Sequence, residues 1–174
     1  MRVFVTLGFE RRPFDRLLKA VDTGIELGII PQDTLVQSGY SNHVPSRCAS
    51  VAFLSFSEIE AVMRRAEIIV AHAGVGTLLH CLHINKIPIL FPRRVSRGEH
   101  VDDHQFIFAR AIEETRRALV AYDVSQLFQT IDNHERLAAG LTGAASIGEG
   151  DGVSRLRDYI RLSISQALDR GNGR

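Results

Sequence analysis

Ile68-Ile69-Val70-Ala71-His72-Ala73-Gly74-Val75-Gly76-Thr77 is the stretch that decides the fold. Its first four residues are apolar and lie between polar Glu67 and His72, the pattern of a strand buried on both faces, as strands of parallel sheets are. A glycine-rich turn follows, and Leu78 to Asn85 reads as a helix. A buried strand that enters a helix through a short turn is half of a βαβ unit.

Working outward, the same alternation recurs. Val3-Phe4-Val5-Thr6-Leu7 is a buried first strand closed by Gly8. Pro13 opens a helix, where its missing N–H costs nothing, and Phe14, Leu17, Leu18, Val21 and Ile25 form one apolar face at helical spacing. Thr34 to Gln37 and Val51 to Leu54 are further short strands. Ser57 and Glu60 have capping-box spacing for a helix that runs to about Ala66. Ile87 to Phe91 is the next strand, closed by Pro92; His100 to Arg117 is helical; Leu119 to Ala121 is the last strand; Val124 to Leu137 is helical. Strands separated by helices of this length predict an α/β fold: a Rossmann-like parallel sheet with helices on both faces.

The expected organisation is a domain over 1–139, a Gly-rich connection over 140–152 with five glycines in 13 residues, and an amphipathic helix and tail over 153–174. The 174 residues carry 21 basic and 20 acidic side chains, for a net charge of +1; 45% of residues are apolar. These values describe a globular chain and give no bias toward polyanions, so nucleic acid is not an expected partner. Cys48 and Cys81 are too few for a disulfide framework and fit a reducing compartment. The opening MRVFVTLG lacks a signal-peptide pattern, and no run approaches the roughly 18 apolar residues of a membrane span. A cytoplasmic location is expected.

In a doubly wound sheet, ligands bind beyond the carboxyl ends of the strands. Three segments of interest fall there: Gly8 to Arg12, His72 to Thr77, and Pro92 to Gln105. In the second, Gly74 and Gly76 let backbone N–H groups approach an anion at a helix N-terminus, and Thr77 adds a hydroxyl. Walker spacing is missing, and so is the third glycine of the dinucleotide fingerprint. The third segment is the densest in polar residues. Its acidic and amide side chains could hold sugar hydroxyls, and its arginines or protonated histidines a phosphate. The bland alternatives are a tight turn and a solvated loop. His80 with His83, and His100 with His104, have spacings that permit metal ligation, but no HExxH is present and a metal is not expected. Cys81 reads as a small apolar helix residue.

Three blocks together resemble a known family: Ile69 to Thr77, Lys86 to Arg93, and Gly98-Glu99-His100-Val101-Asp102-Asp103-His104-Gln105. They are similar to the C-terminal domain of family 28 glycosyltransferases, and in particular to its stand-alone branch. That branch includes the catalytic subunit of the dolichol-linked N-acetylglucosaminyltransferase and bacterial exopolysaccharide subunits. The resemblance covers about residues 1–125. It implies one half of a GT-B enzyme, the half that binds the nucleotide-sugar donor. It places Gly8, His72, Ala73, Gly74, Val75, Gly76, Thr77 and Arg93 at the nucleotide, and Glu99, Asp103, His104 and Gln105 at the donor sugar. His100 is a candidate general base.

The implied reaction is inverting, metal-independent transfer from a UDP-sugar to a lipid-linked or polysaccharide acceptor, with no cofactor beyond the donor substrate. A non-catalytic nucleotide-sugar-binding or assembly subunit is the alternative. The implied partner is a membrane-anchored subunit that carries the acceptor half and holds this chain at the inner face of the cell membrane. In isolation, a homodimer of this chain is the alternative assembly. The chain departs from the family at Phe9-Glu10-Arg11-Arg12, where Thr-His-Glu-Gln is common, and at His80, where Glu or Thr is common.

Overall fold

A computed structural model describes residues 1–141 and contains six parallel strands and six α-helices. The strands are β1 (Val3–Thr6), β2 (Thr34–Gln37), β3 (Ala49–Val51), β4 (Ile68–Ala71), β5 (Ile89–Leu90) and β6 (Leu119–Val120). The helices are α1 (Asp15–Glu26), α2 (Phe56–Arg65), α3 (Val75–His83), α4 (His104–Thr115), α5 (Val124–Asp132) and α6 (His134–Ala139). Apart from Gly140 and Leu141, the expected Gly-rich connection and terminal helix lie outside the described residues.

The sheet order is β3-β2-β1-β4-β5-β6, and every pairing is parallel. Order reverses between β1 and β4, where Thr6 pairs with both Gln37 and Ala71. Crossovers diverge there, which opens a crevice at the carboxyl edge.

Strand alternation assigns the two layers. Val3, Val5, Val70 and Ile89 pack with Phe14, Leu17, Leu18, Val21 and Leu127, from α1, α5 and the residue that leads into α1. Phe4 and Ile69 point to the other face, against Met63 and Cys81 of α2 and α3. Ala71 and Leu90 meet Leu78, Phe108 and Ile112 of α3 and α4. β1, β4 and β5 therefore feed side chains to both layers, which is why Val3-Phe4-Val5, Ile68-Ile69-Val70-Ala71 and Ile89-Leu90 are apolar throughout rather than alternating.

Several boundaries differ from the sequence reading. The third strand is Ala49–Val51 rather than Val51 to Leu54, because Leu35, Val36 and Gln37 pair with Ala49, Ser50 and Val51. The capping serine of α2 is Ser55, not Ser57. The Ser55 hydroxyl accepts the Glu58 N–H at 3.4 Å, and the Glu58 carboxylate accepts the Ser55 N–H at 2.7 Å. This earlier start brings Phe56 into the helix, where its ring stacks on His80 with centroids 5.0 Å apart. Helix α1 begins at Asp15, past Pro13. The helix expected from His100 begins only at His104, after a 3₁₀ turn over Val95–Arg97. The helix expected over Val124 to Leu137 breaks at Asn133.

Candidate functional site

The carboxyl ends of β1 and β4 open into a cavity of about 360 Å³. Its floor is Thr6, Gly8 and His72, one wall is Gly74, Gly76, Thr77 and His80, and the other is Phe56, Ile59 and Met63, with Phe9 at the rim. The first wall is the start of α3. Gly74 is its N-cap, and no side chain caps the helix. A helix start has N–H groups without intrahelical partners and a partial positive charge. Gly76 is exposed, and a Cβ built there would meet nothing within 4 Å. The turn thus presents backbone donors to open space at the bottom of a cleft.

Gly8 and Gly74 have a different physical reason for being glycine. A Cβ on either would come within 2.3 Å of the His72 imidazole. Gly8 also has φ of +70°, a conformation that disfavours any side chain. The two glycines sandwich the ring. Burial, reinforced by the nearby Arg93 guanidinium, pushes the His72 pKa down to about 4. His72 is therefore a neutral imidazole at physiological pH and offers no cation to a phosphate. Its Nδ1 is buried with no hydrogen-bond partner, as is Nε2 of His80. Ala73 is buried in the core beneath the turn, with Val75 packed beside it.

The block after β5 behaves otherwise. Arg93 is 1% exposed. Its Nη1 donates to the carbonyls of Arg12 (2.7 Å) and Glu99 (3.1 Å), and its Nη2 to that of Leu7 (3.1 Å). The outer nitrogens of Arg93 thus bond the scaffold, and Arg93 does not line the cavity. Glu99 is likewise engaged within the fold. Its Oε1 accepts from Arg16 Nε at 2.8 Å, and its Oε2 from Arg16 Nη2 at 2.9 Å and from the Arg94 N–H at 2.9 Å. Arg16 and Arg93 both lie over the Phe14 ring, at 5.3 and 4.5 Å. Gln105 is 9% exposed, and its Oε1 accepts the Arg93 N–H at 3.3 Å.

Nearer solvent, Asp102 bridges two histidines. Its Oδ1 is 3.1 Å from His100 Nδ1, and its Oδ2 is 3.1 Å from His104 Nδ1. Nε2 of His100 lies 3.9 Å from Glu10 Oε2, across the loop after β1. Asp103 is exposed at the start of α4, and its side chain makes no capping bond. Of the residues singled out in the sequence, Gly8, His72, Gly74, Gly76 and Thr77 line the cavity; Arg93, Glu99, His100, Asp103, His104 and Gln105 do not.

The sequence reading did not single out Phe56, Ile59 and Met63 as walls, since apolar residues of a helix read as core; Phe9 lay in the Gly8–Arg12 segment without a role of its own. Phe9 and Phe56 are 62% and 72% exposed, which no core assignment would give. Cys81 is fully buried, and burial pushes its thiol up to about 12, so it is no nucleophile.

Among the described residues no helix is long and apolar enough to cross a membrane. Solved structures with the same architecture include the glycotransferase of kitacinnamycin (TM-score 0.54, 15% identity, 97% of this chain and 42% of that one). Spinosyn forosaminyltransferase SpnP is equally near in fold (TM-score 0.54, 14% identity, 97% and 43%). MurG of Acinetobacter baumannii follows (TM-score 0.51, 13% identity, 80% and 42%). Identities this low show the fold alone: one Rossmann-like half of the GT-B architecture, since the chain spans less than half of each.

Two sequence relatives are UDP-N-acetylglucosamine transferase subunits ALG13. The one from Candida albicans (strain SC5314 / ATCC MYA-2876) is 27% identical over 85 residues, covering 49% of this chain and 27% of that protein. The one from Yarrowia lipolytica (strain CLIB 122 / E 150) is 27% identical over 138 residues, covering 73% and 68%. The pattern of the glycosyltransferase family 28 C-terminal domain matches residues 2–139, from β1 through α6, and the chain belongs to that family.

Proposed function

We propose that this chain is the donor-binding subunit of a glycosyltransferase that moves a sugar from a UDP-sugar to a lipid-linked or polysaccharide acceptor. The observation that carries the reading is the uncapped start of α3, open to the cavity at the β1/β4 crevice in a family 28 domain. The diphosphate lies on the N–H groups of the first turn, with the Thr77 hydroxyl beside it. The base lies against the aromatic and apolar wall of Phe56, Ile59 and Met63, and the donor sugar extends toward Asp103, His104 and Gln105. UDP-N-acetylglucosamine is the first donor to test, because that donor is named for both relatives.

In the proposed step, the acceptor oxygen attacks the anomeric carbon from the face opposite UDP. The bond from that carbon to the β-phosphate oxygen breaks with inversion, and the acceptor proton passes to a base. We assign this role to His100; the Asp102 carboxylate 3.1 Å from its Nδ1, which would orient the ring, supports the assignment. Charge that develops on the departing UDP meets the dipole and N–H groups of α3, an electrostatic contribution that needs no metal.

The acceptor half comes from a second, membrane-anchored subunit that covers the strand ends near Gly8 and His72 and keeps this chain at the inner membrane face. The relatives' designation as subunits supports a partner chain. Titration calorimetry with UDP, then UDP-N-acetylglucosamine, tests the donor reading. Saturable binding to wild type that is lost in Gly76→Val is the expected result; equal binding by a folded Gly76→Val overturns it. Turnover that stops with EDTA and returns with a divalent ion contradicts the metal-free mechanism.

A further inference from the structure

Arg93 is the largest fully buried side chain among the described residues. Burying a guanidinium carries a desolvation cost, and an apolar side chain of similar volume would often serve stability as well. Burial lowers its pKa to about 10, so it remains charged at neutral pH. Its side-chain hydrogen-bond partners are all backbone carbonyls, while the carboxylate of Glu99 is held by Arg16 and the Arg94 N–H.

Those carbonyls belong to separate segments. Leu7 immediately precedes Gly8, and Arg12 ends the same loop, so the two bonds hold both ends of the Gly8–Arg12 loop. The third acceptor, Glu99, lies in the block after β5, and the Arg93 N–H reaches Gln105 at the start of α4. One planar, rigid fork therefore ties the loop that floors the cavity to the block that begins with Arg93 itself. Lysine, a single point charge on a flexible stem, lacks that geometry.

We infer that Arg93 is a positioning residue for the donor site: it pins both ends of the Gly8–Arg12 loop to the 93–105 block and so fixes the gap between them. The inference rests on the donor-site reading above. It predicts that Arg93→Lys and Arg93→Met unfold cooperatively yet bind UDP roughly tenfold to a hundredfold more weakly, as misplacement at a distance does. In both variants, amide hydrogen exchange accelerates at residues 8–12 and 99–105 while α5 keeps its protection. Lysine does not restore affinity, although it keeps the charge.

Unchanged UDP affinity in a folded variant, full rescue by lysine, or unchanged exchange in the two loops overturns the inference. A wild type that binds no UDP overturns the donor reading itself, and the two failures are thereby distinguishable. Should neither variant fold, the wild type still decides by NMR. Arg93 guanidinium resonances that are protected from solvent and shift on UDP addition support the role; unshifted resonances overturn it.

Discussion

The turn after β4 and the block after β5 both leave the carboxyl edge of the sheet and both stand out in the sequence, yet they differ in where their polar groups point. His72 to Thr77 has few polar side chains and turns its backbone toward open space. Pro92 to Gln105 is dense in charge and directs much of it inward, through Arg93, Glu99 and their partners. The lesson is that polar density marks an organised region without saying whether the groups serve a ligand or each other. Backbone donors at an uncapped helix start are the better sign of a place that suits an anion.

The contrast is sharpest for stability. Glu99→Ala removes the carboxylate that Arg16 and the Arg94 N–H share, and should destabilise the fold by about 3–5 kcal/mol, as breaking a buried pair does. Gly76→Val, in the open turn, should cost less than about 1 kcal/mol, because no atom lies near its Cβ. Denaturant titration of the two variants compares them directly; a Glu99 variant as stable as wild type would mean that its carboxylate does not hold the fold.

Next in size is a pH effect. Folding depresses the His72 pKa from 6.5 to about 4, so the unfolded chain binds the proton first. Above pH 6.5 both states are neutral and the group has no effect. As pH falls from 6.5 toward 4, stability is lost, to a total of about 3 kcal/mol. Thermal melts at pH 7 and pH 5 measure this, and His72→Asn should flatten the slope.

A smaller effect separates packing from ligand contact at the glycines. Gly74→Ala should destabilise by about 1–3 kcal/mol through its clash with His72. Adding His72→Ala should recover part of that loss, giving a coupling in the double-mutant cycle. Additive costs would mean that Gly74 answers to the ligand alone. The smallest effect belongs to Asp103→Ala, on an exposed side chain, at less than about 0.5 kcal/mol. Its consequence should lie in binding, with UDP-sugar weakened more than UDP.

Much of the fold was legible because it depends on local pattern. The apolar runs at Val3, Thr34 and Ile68 and the helical face of Phe14 to Ile25 gave the right elements in the right order. Errors fell where two readings share one pattern. Ser55-Glu58 and Ser57-Glu60 have the same spacing, and only the structure shows that the reciprocal capping bonds form at Ser55. Gly74 and Gly76 look alike in sequence, but one makes room for an imidazole and the other faces solvent. The aromatic wall of the cavity was illegible because an exposed phenylalanine and a core phenylalanine are the same letter.

The sequence by itself determined a parallel α/β sheet with a glycine turn at its carboxyl edge, since periodicity and turn chemistry act over a few residues. Only the tertiary structure decided which polar groups remain for a ligand. Arg16 meets Glu99 across 83 residues, and Arg93 meets Leu7 across 86. Such pairs form because a buried charge must find partners within hydrogen-bond reach, and chain topology alone brings them there.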